Sequence, residues 1–322
     1  MGFVPLPFLS QFLFLFWDVV LPILLIAACG FALERKRPLA MSTLTALQVN
    51  VFMPAFMVAR VAKSDLTWEQ MGWVIGAMVC ATLLVGAPVW VCLRRRRMAL
   101  GSAAVLVLAS AVFNSGNFGI PLAERAYGPA GGAVQALVLL VSNISMWLGG
   151  YLLLASANGG IRQALAEYAR TPLFASLGLA LALKAGNWHL PGPVQYSLDS
   201  IAGGLVPVAL MTLGAQLSSR VRWPHWRRVG PVLFLKLLGM PLAMGAVVAA
   251  LGLWPWPGAM LVVASAAPSA VNTFILALEL DADSELAAEC VFWTTVLSAI
   301  TVTLVLAVVQ SLGGHPPASV AR

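Results

Sequence analysis

Charged side chains are scarce in this sequence. Only 10% of its 322 residues are Asp, Glu, Lys or Arg, whereas a soluble domain carries about 25%. Hydrophobic residues make up 60% of the chain, the mean hydropathy is +0.90, and the few charges fall in short clusters between long apolar runs. This composition excludes a soluble globular enzyme, a disordered chain and a fibrous repeat. It predicts an all-α protein that crosses a membrane many times.

Histidine and cysteine are equally rare. The three histidines (His189, His225 and His315) lie outside the apolar runs, and the four cysteines make neither a C-x-x-C pair nor a metal-ligand spacing. The H-E-x-x-H, G-x-S-x-G and P-loop patterns are missing as well. We therefore expect no enzyme activity, no metal site and no cofactor. The net charge of +7 is typical of basic cytoplasmic loops rather than of nucleic-acid binding.

Long apolar runs are abundant instead. A helix needs about 20 apolar residues to span a bilayer, and ten segments of this kind can be drawn. They cover 12–33, 41–62, 70–93, 100–125, 132–155, 171–188, 196–218, 229–253, 257–280 and 285–311. The run Leu25–Gly30 resembles a lipoprotein cleavage site, but the first basic residue, Arg35, comes after it. A signal peptide needs a basic region before its apolar run, so we expect the first segment to be retained.

Basic residues orient these segments. Thirteen Lys and Arg residues follow odd-numbered segments, among them Arg35–Arg37 and Arg94–Arg97, whereas five lie in the other loops and termini. Cytoplasmic loops of membrane proteins carry the excess of basic residues. The asymmetry predicts a protein of the cell (inner) membrane with both termini outside the cytoplasm.

An internal repeat relates the two parts of the chain. Pro54 aligns with Pro207, and Pro88 aligns with Pro241, at an offset of 153 residues. At an offset of 155, six of the sixteen residues in 109–124 recur identically.

The repeat divides the ten segments into two sets of five. Because five is an odd number, the second set enters the membrane upside down relative to the first. The sequence therefore predicts two inverted five-helix repeats, 12–155 and 161–311, an arrangement common among secondary transporters.

The fourth and ninth segments contain residues that interrupt helices. Glycine, proline and asparagine are concentrated at 111–121 in segment four and at 266–274 in segment nine. Irregular backbone at this depth is tolerated only inside protein or beside a wet cavity, and paired breaks in two halves point to a transporter binding site. The helix starts beside such breaks carry partial positive charge, which favours an anion. The candidate binding residues are Asn114, Gly116, Asn117, Gly119, Pro121, Pro268, Ser269 and Asn272.

Other interpretations of these polar residues stay open. Gly and Pro could merely kink packed helices while the Asn side chains hydrogen-bond across them. Lys236 would either serve as a counter-charge for a substrate or extend to the nearby cytoplasmic surface. Glu124 and Glu279 would either carry protons or cap the ends of their helices. Asn143 and Ser298, related by the offset of 155, are expected to support the break from neighbouring helices.

Five short motifs give the chain a resemblance to a known family. They are Phe-Met-Pro-Ala at 52–55, Gly-Ile-Pro-Leu at 119–122 after Asn114, Leu-Gly-Ala-Gln-Leu at 213–217, Ala-Pro-Ser-Ala-Val-Asn at 267–272 and Leu-Ser at 297–298. Together they resemble the auxin efflux carrier family of membrane transporters in its bacterial form, which is related to the bile acid/sodium symporter superfamily. The resemblance extends over roughly residues 12–310.

The resemblance has implications for fold and substrate. It implies that segments 1, 2, 6 and 7 form a scaffold, that segments 3–5 and 8–10 form a moving transport domain, and that helices four and nine cross. It implies carboxylate-bearing organic anions as substrates, such as auxin, malate or malonate. It places the family's crossing asparagine at Asn114 and adds Gln216 to the supporting residues. Phe113 stands where family members usually have proline.

The combined expectation is a secondary transporter, either a permease or an efflux carrier, that moves a small organic anion by alternating access. A channel-like exporter of a neutral or amphipathic solute and a non-transporting membrane receptor on the same fold remain as alternatives. The expected partners are the anion and the lipid bilayer, with no nucleic acid. Coupling to protons or sodium and assembly as a homodimer stay open.

Overall fold

The computed structural model describes residues 8–154, 171–218 and 223–316. Apart from one isolated β-bridge, the regular structure in these ranges is entirely helical. Eleven helices lie there, namely α1 (Phe8–Lys36), α2 (Met41–Val61), α3 (Trp68–Arg95), α4 (Leu100–Ala111), α5 (Ser115–Leu153), α6 (Pro172–Ala185), α7 (Gly192–Ser218), α8 (Trp226–Ala250), α9 (Gly258–Ser265), α10 (Asn272–Glu279) and α11 (Ser284–Ser311).

Seven of these helices are long and apolar enough to cross a membrane. They are α1, α2, α3, α5, α7, α8 and α11. The helices α4 and α6 are apolar but shorter, and α9 and α10 have eight residues each. The prediction of an all-α, multi-pass membrane protein is confirmed.

Two predicted segments are each divided into two helices. Segment 100–125 is interrupted between α4 and α5, and segment 257–280 is interrupted between α9 and α10. The predicted loop between segments four and five is instead a sharp bend within α5. At this bend Gly128 has φ 59° and ψ −150°, and Pro129 follows it. A side chain would strain a backbone with this positive φ, which glycine adopts freely.

Four widened, π-helical turns interrupt the long helices, and each ends two residues before a proline. The pairs are Phe16–Val20 with Pro22, Gln48–Phe52 with Pro54, Ser115–Gly119 with Pro121, and Leu235–Gly239 with Pro241. Proline has no N–H to donate and its ring crowds the carbonyl four residues earlier, so the turn before it widens. Pro207, aligned with Pro54 by the repeat, lies inside regular α-helix. So does Pro88, the counterpart of Pro241.

The helices α1 and α7 pack backbone against backbone. A Cβ added at Gly30 would lie 2.0 Å from the Met211 carbonyl oxygen, and one added at Gly214 would lie 1.7 Å from the Ala27 carbonyl oxygen. Only glycine permits this approach. The helix α2 packs against both α6 and α7, and α9 packs against α5, α8 and α11.

Ion pairs join residues that are distant in sequence. The pairs are Arg60 with Glu124, Lys63 with Asp199, Arg125 with Asp18, and Arg228 with Asp283. The pair between Arg60 and Glu124 is bidentate, with N···O distances of 2.7 and 2.6 Å, so Glu124 links α5 to α2.

Asp283 begins α11 in the turn after α10. Its carboxylate accepts hydrogen bonds from the Leu286 N–H (3.1 Å), the Ser102 hydroxyl (2.8 Å) and the Arg228 guanidinium (2.8 Å). Partial burial would raise the pKa of this carboxyl. The hydrogen bonds from Ser102 and Leu286, together with the positive charge of Arg228, outweigh burial and hold the pKa of Asp283 below its ordinary value.

Candidate functional site

The two helix breaks lie against each other. Residues 112–114 leave the helical conformation after α4, and 266–271 leave it after α9. Phe113 and Ser269 form an antiparallel bridge. The Asn114 N–H donates to the Pro268 carbonyl oxygen at 2.7 Å, and the Ala270 N–H donates to a carbonyl oxygen of the first break at 3.3 Å. Each interrupted segment therefore satisfies backbone groups of the other.

Ser269 connects the second break to two helices. Its side chain is completely buried, and its hydroxyl donates to the Ala109 carbonyl oxygen of α4 at 2.6 Å. Its N–H donates to the Thr294 hydroxyl of α11 at 3.1 Å. Two residues predicted to bind substrate, Pro268 and Ser269, therefore connect the breaks to each other and to α11.

The start of α5 is organised around Asn114. Its side-chain oxygen accepts a hydrogen bond from the Asn117 N–H at 3.1 Å, and its carbonyl oxygen accepts one from the Gly119 N–H at 2.8 Å. A Cβ added at Gly119 would lie 2.3 Å from Nε2 of Gln135. That amide donates to the Ser115 carbonyl oxygen at 2.7 Å. Gly119 thus leaves room for the amide that satisfies the first turn of α5.

A cavity of about 80 Å³ lies beside the breaks. Six predicted site residues line it, namely Asn114, Gly116, Asn117, Asn143, Gln216 and Asn272. The remaining six, which are Gly119, Pro121, Lys236, Pro268, Ser269 and Ser298, do not line it. No residue of its lining carries a formal charge. The cavity is therefore polar through amides, hydroxyls and backbone alone.

Four further polar residues line the cavity that sequence reasoning missed. They are Thr45, Gln48, Ser115 and Ser142. Gln48 donates to the Thr212 hydroxyl at 2.7 Å and so bridges α2 to α7. An isolated Gln in the apolar segment 41–62 was the available signal for this residue. The other three are small hydroxyl residues, which membrane helices also use to bond their own backbone.

Buried polar atoms without a hydrogen-bond partner among the described residues lie at the cavity. The side-chain nitrogen of Asn114 and the hydroxyl of Ser142 are examples. A buried donor left without a partner costs about 1–3 kcal/mol. A bound ligand that accepts these hydrogen bonds would remove that cost.

Lys236 lies next to the breaks but outside the cavity. It is 0% exposed, its ammonium donates to the Ser265 carbonyl oxygen at 3.1 Å, and it stands 4.6 Å from the centroid of the Phe113 ring. Complete burial rules out extension of this side chain to the membrane surface, so that interpretation is wrong. Phe113 lines the cavity and contacts Lys236 as well.

The two supporting residues differ in their positions. Asn143 lines the cavity and donates to the Leu139 carbonyl oxygen of its own helix at 2.9 Å. Ser298 is buried in α11, where its hydroxyl donates to the Thr295 carbonyl oxygen at 2.7 Å. Within the described ranges no group of three His, Cys, Asp or Glu residues could hold a metal ion.

Long apolar helices around an uncharged polar cavity at two helix breaks define a multi-pass membrane protein. The chain belongs to the membrane transport protein family, whose model matches residues 16–306. The resemblance to auxin efflux carriers is thereby confirmed, and the protein is a membrane transporter.

Two archaeal relatives are similar to this chain. An uncharacterized transporter of Methanothermobacter thermautotrophicus is 28% identical over 295 residues, which cover 89% of this chain and 96% of the relative. An uncharacterized transporter of Methanocaldococcus jannaschii is 25% identical over 206 residues, covering 62% of this chain and 66% of the relative.

Proposed function

We propose that the protein is a secondary transporter for a small organic anion, and that the anion is a carboxylate. In this proposal the chain makes ten spans arranged as two inverted five-helix repeats. The divided fourth and ninth spans, α4 with the start of α5 and α9 with α10, cross at their breaks. Spans 1, 2, 6 and 7 form the scaffold against which the others move, so that the site opens to each side of the membrane in turn.

The observation that carries this proposal is the unpartnered amide nitrogen of Asn114, buried at the start of α5 beside the cavity. The first N–H groups of a helix lack partners within the helix and carry about half a positive charge together. The start of α10 at Asn272 also lines the cavity. A carboxylate, with two oxygens that accept several hydrogen bonds, matches the amide nitrogen of Asn114 and this partial positive charge without any basic side chain in the lining.

The antiparallel contact of the breaks supports the crossing. Phe113 and Ser269 pair in opposite directions, as expected where two chain segments of inverted repeats meet. Packing of α2 against α6 and α7, and of α1 against α7, supports a scaffold of those four spans.

Binding and flux in proteoliposomes test the proposal. A thermal-shift screen of small mono- and dicarboxylates on the purified protein selects the substrate, and uptake of the isotope-labelled acid measures transport. Asn114→Ala and Asn272→Ala should weaken binding about ten- to hundred-fold, since a hydrogen bond to a charged group contributes about 1.5–3 kcal/mol. Asn50→Ala is the matched control, because Asn50 is exposed and bonds only its own helix. Wild-type affinity in both site variants would place the site elsewhere.

A second candidate is a channel-like exporter of a neutral solute. The absence of formal charge from the cavity lining favours it. The membrane potential separates the two functions, because movement of an uncompensated anion responds to a potassium-diffusion potential and movement of a neutral solute does not. Solute flux that is unchanged at any imposed potential would favour the neutral solute.

A further inference from the structure

Lys236 is a basic residue buried inside the protein. It is 0% exposed in the widened turn Leu235–Gly239 of α8, and its ammonium donates a hydrogen bond to a backbone carbonyl. No carboxylate in the part of the chain that the structure describes lies within 4.0 Å of its ammonium. A buried ammonium is costly unless something compensates its charge.

The compensation comes from the end of a half-helix. Ser265 is the last residue of α9, and its carbonyl oxygen accepts the Lys236 hydrogen bond at 3.1 Å. The last carbonyls of a helix carry about half a negative charge. The two preceding carbonyls, of Val263 and Ala264, accept N–H groups of the break, each at 3.1 Å. The face of the Phe113 ring, 4.6 Å away, adds a cation–π contact.

Among the described residues, no basic side chain hydrogen-bonds to the last carbonyls of α4, the other half-helix that ends at the breaks. At the end of α4, the Ala109 carbonyl oxygen accepts the neutral hydroxyl of Ser269. In the repeat that aligns Pro88 with Pro241, the residue equivalent to Lys236 is Leu83. Leu83 is apolar and 61% exposed. In the described structure a basic side chain therefore hydrogen-bonds to the carbonyl end of α9, whereas a neutral hydroxyl does so at α4.

We propose that Lys236 is a tethered cation of the transport site. Its ammonium neutralises the negative end of α9, so that the positive starts of α5 and α10 dominate the potential in the cavity. The negative helix end then requires no dissociable metal cation. Lys236 is a positioning residue, because it acts on the anion through the helix end and Phe113 without lining the cavity. This inference rests on the proposed transport of an anion.

Substitutions that separate charge from shape test the role of Lys236. Lys236→Met keeps the length of the side chain without its charge, and Lys236→Arg keeps the charge. Lys184→Met is the matched control, because the Lys184 ammonium also donates to a backbone carbonyl, that of Ser64 in the loop between α2 and α3. The probe is isotope-labelled malonate, bound to the purified protein in NaCl or in choline chloride.

We expect the affinity for malonate to depend on the charge of the side chain at position 236. Removing a nearby unit charge should weaken malonate binding about tenfold or more at an effective dielectric constant of about 20. The malonate affinity of Lys236→Arg should stay within about threefold of the wild-type affinity. The affinity of Lys184→Met should equal that of wild type. Wild-type binding should be equal in the two salts. Equal affinity in the Met and wild-type proteins, or wild-type binding that requires Na⁺, would overturn the proposal.

Thermal melting keeps the test independent of the substrate. Lys236→Met should melt below wild type in choline chloride, and Lys236→Arg should recover most of the difference. Wild-type melting should not change when NaCl replaces choline chloride. If wild type binds no malonate but the Met and Arg variants differ in this way, the choice of substrate fails and the tethered cation stands. Met and Arg variants that melt alike would show that the charge at position 236 has no role and would reject the inference.

Discussion

Asn114 uses the two ends of its amide for different purposes. The oxygen caps the first turn of α5 by accepting the Asn117 N–H, which fixes the orientation of the side chain. The nitrogen remains buried without a partner in the described structure. Because the cap holds the oxygen, the donor is held in place before any ligand arrives. Pre-organised donors bind tightly since little ordering is required on association.

Gly119 offers a test of packing at the same turn. Gly119→Ala should lower the stability by about 1–2 kcal/mol, because the new methyl group would displace the Gln135 amide from the Ser115 carbonyl oxygen. Thermal melting in detergent measures the effect. The loss of stability in the double variant with Gln135→Ala should be smaller than the sum of the losses in the two single variants, as expected for residues in contact.

Gly76→Ala is the control for that prediction. Nothing lies within 4 Å of a Cβ at Gly76, so this variant should melt within about 0.5 kcal/mol of wild type. Equal melting of the Gly119 and Gly76 variants would mean that Gln135 moves aside freely.

Sequence reasoning at the residue scale succeeded where a residue type was out of place. Asn114, Asn117 and Asn272 stood out as amides among glycine and proline in apolar surroundings, and all three line the cavity. Gln48 and Ser142 also line it, but neither lies in a cluster of glycine and proline like the one at 111–121. A single polar residue does not indicate which face of a helix meets a cavity, so these could not be selected from the sequence.

Among the secondary-structure elements, the long helices are shaped by their prolines. Four prolines each follow a widened turn, and two of those turns, Gln48–Phe52 and Ser115–Gly119, contain residues that line the cavity. A widened turn rotates the residues after it relative to those before it, which changes the side chains that face a neighbour. The sequence predicted interruptions at 111–121 and 266–274 from composition. It did not predict the widened turns, because Pro88 and Pro207 sit in regular helix and look the same in the sequence.

The start of α11 should respond to pH in a defined direction. The pKa of Asp283 is held below its ordinary value, so its contribution to stability is complete above the unfolded-state pKa of about 3.9 and is lost as pH falls through the lower folded-state value. Asp283→Asn should lower stability at pH 7 by about 0.5–1 kcal/mol, as expected for a partly exposed charge at a helix start. The difference from wild type should vanish in melts recorded below that pH window.

Asp281→Asn provides the comparison for this carboxylate. Asp281 lies two residues earlier, and no side-chain hydrogen bond or ion pair involves it in the described part of the chain. Asp281→Asn should have the melting temperature of wild type both at pH 7 and in acid. A difference for Asp283→Asn that persists unchanged in acid would show that the carboxylate charge is not its cause.

At the scale of the whole molecule, the positive-inside pattern predicts both termini outside and the loop between α7 and α8 inside. In a background whose four cysteines are replaced by alanine, a membrane-impermeant maleimide on intact cells should label His315→Cys and leave Pro224→Cys unlabelled. Permeabilised cells should show labelling of both. Labelling of the Pro224 variant alone in intact cells would reverse the orientation.

During synthesis α1 enters the membrane long before its partner α7. Gly30 and Met211 are roughly 180 positions apart in the chain, which takes a ribosome about 10–40 s at about 5–20 residues per second. Throughout that time the groove at Gly30, which finally receives the Met211 carbonyl, is open to lipid and to every helix inserted in between. At Gly30 the two backbones approach too closely to leave room for a Cβ. A helix that presents larger side chains therefore cannot pack there as closely as α7 does. The first half of the chain therefore stays incompletely packed until α7, which ends at Ser218, has been translated.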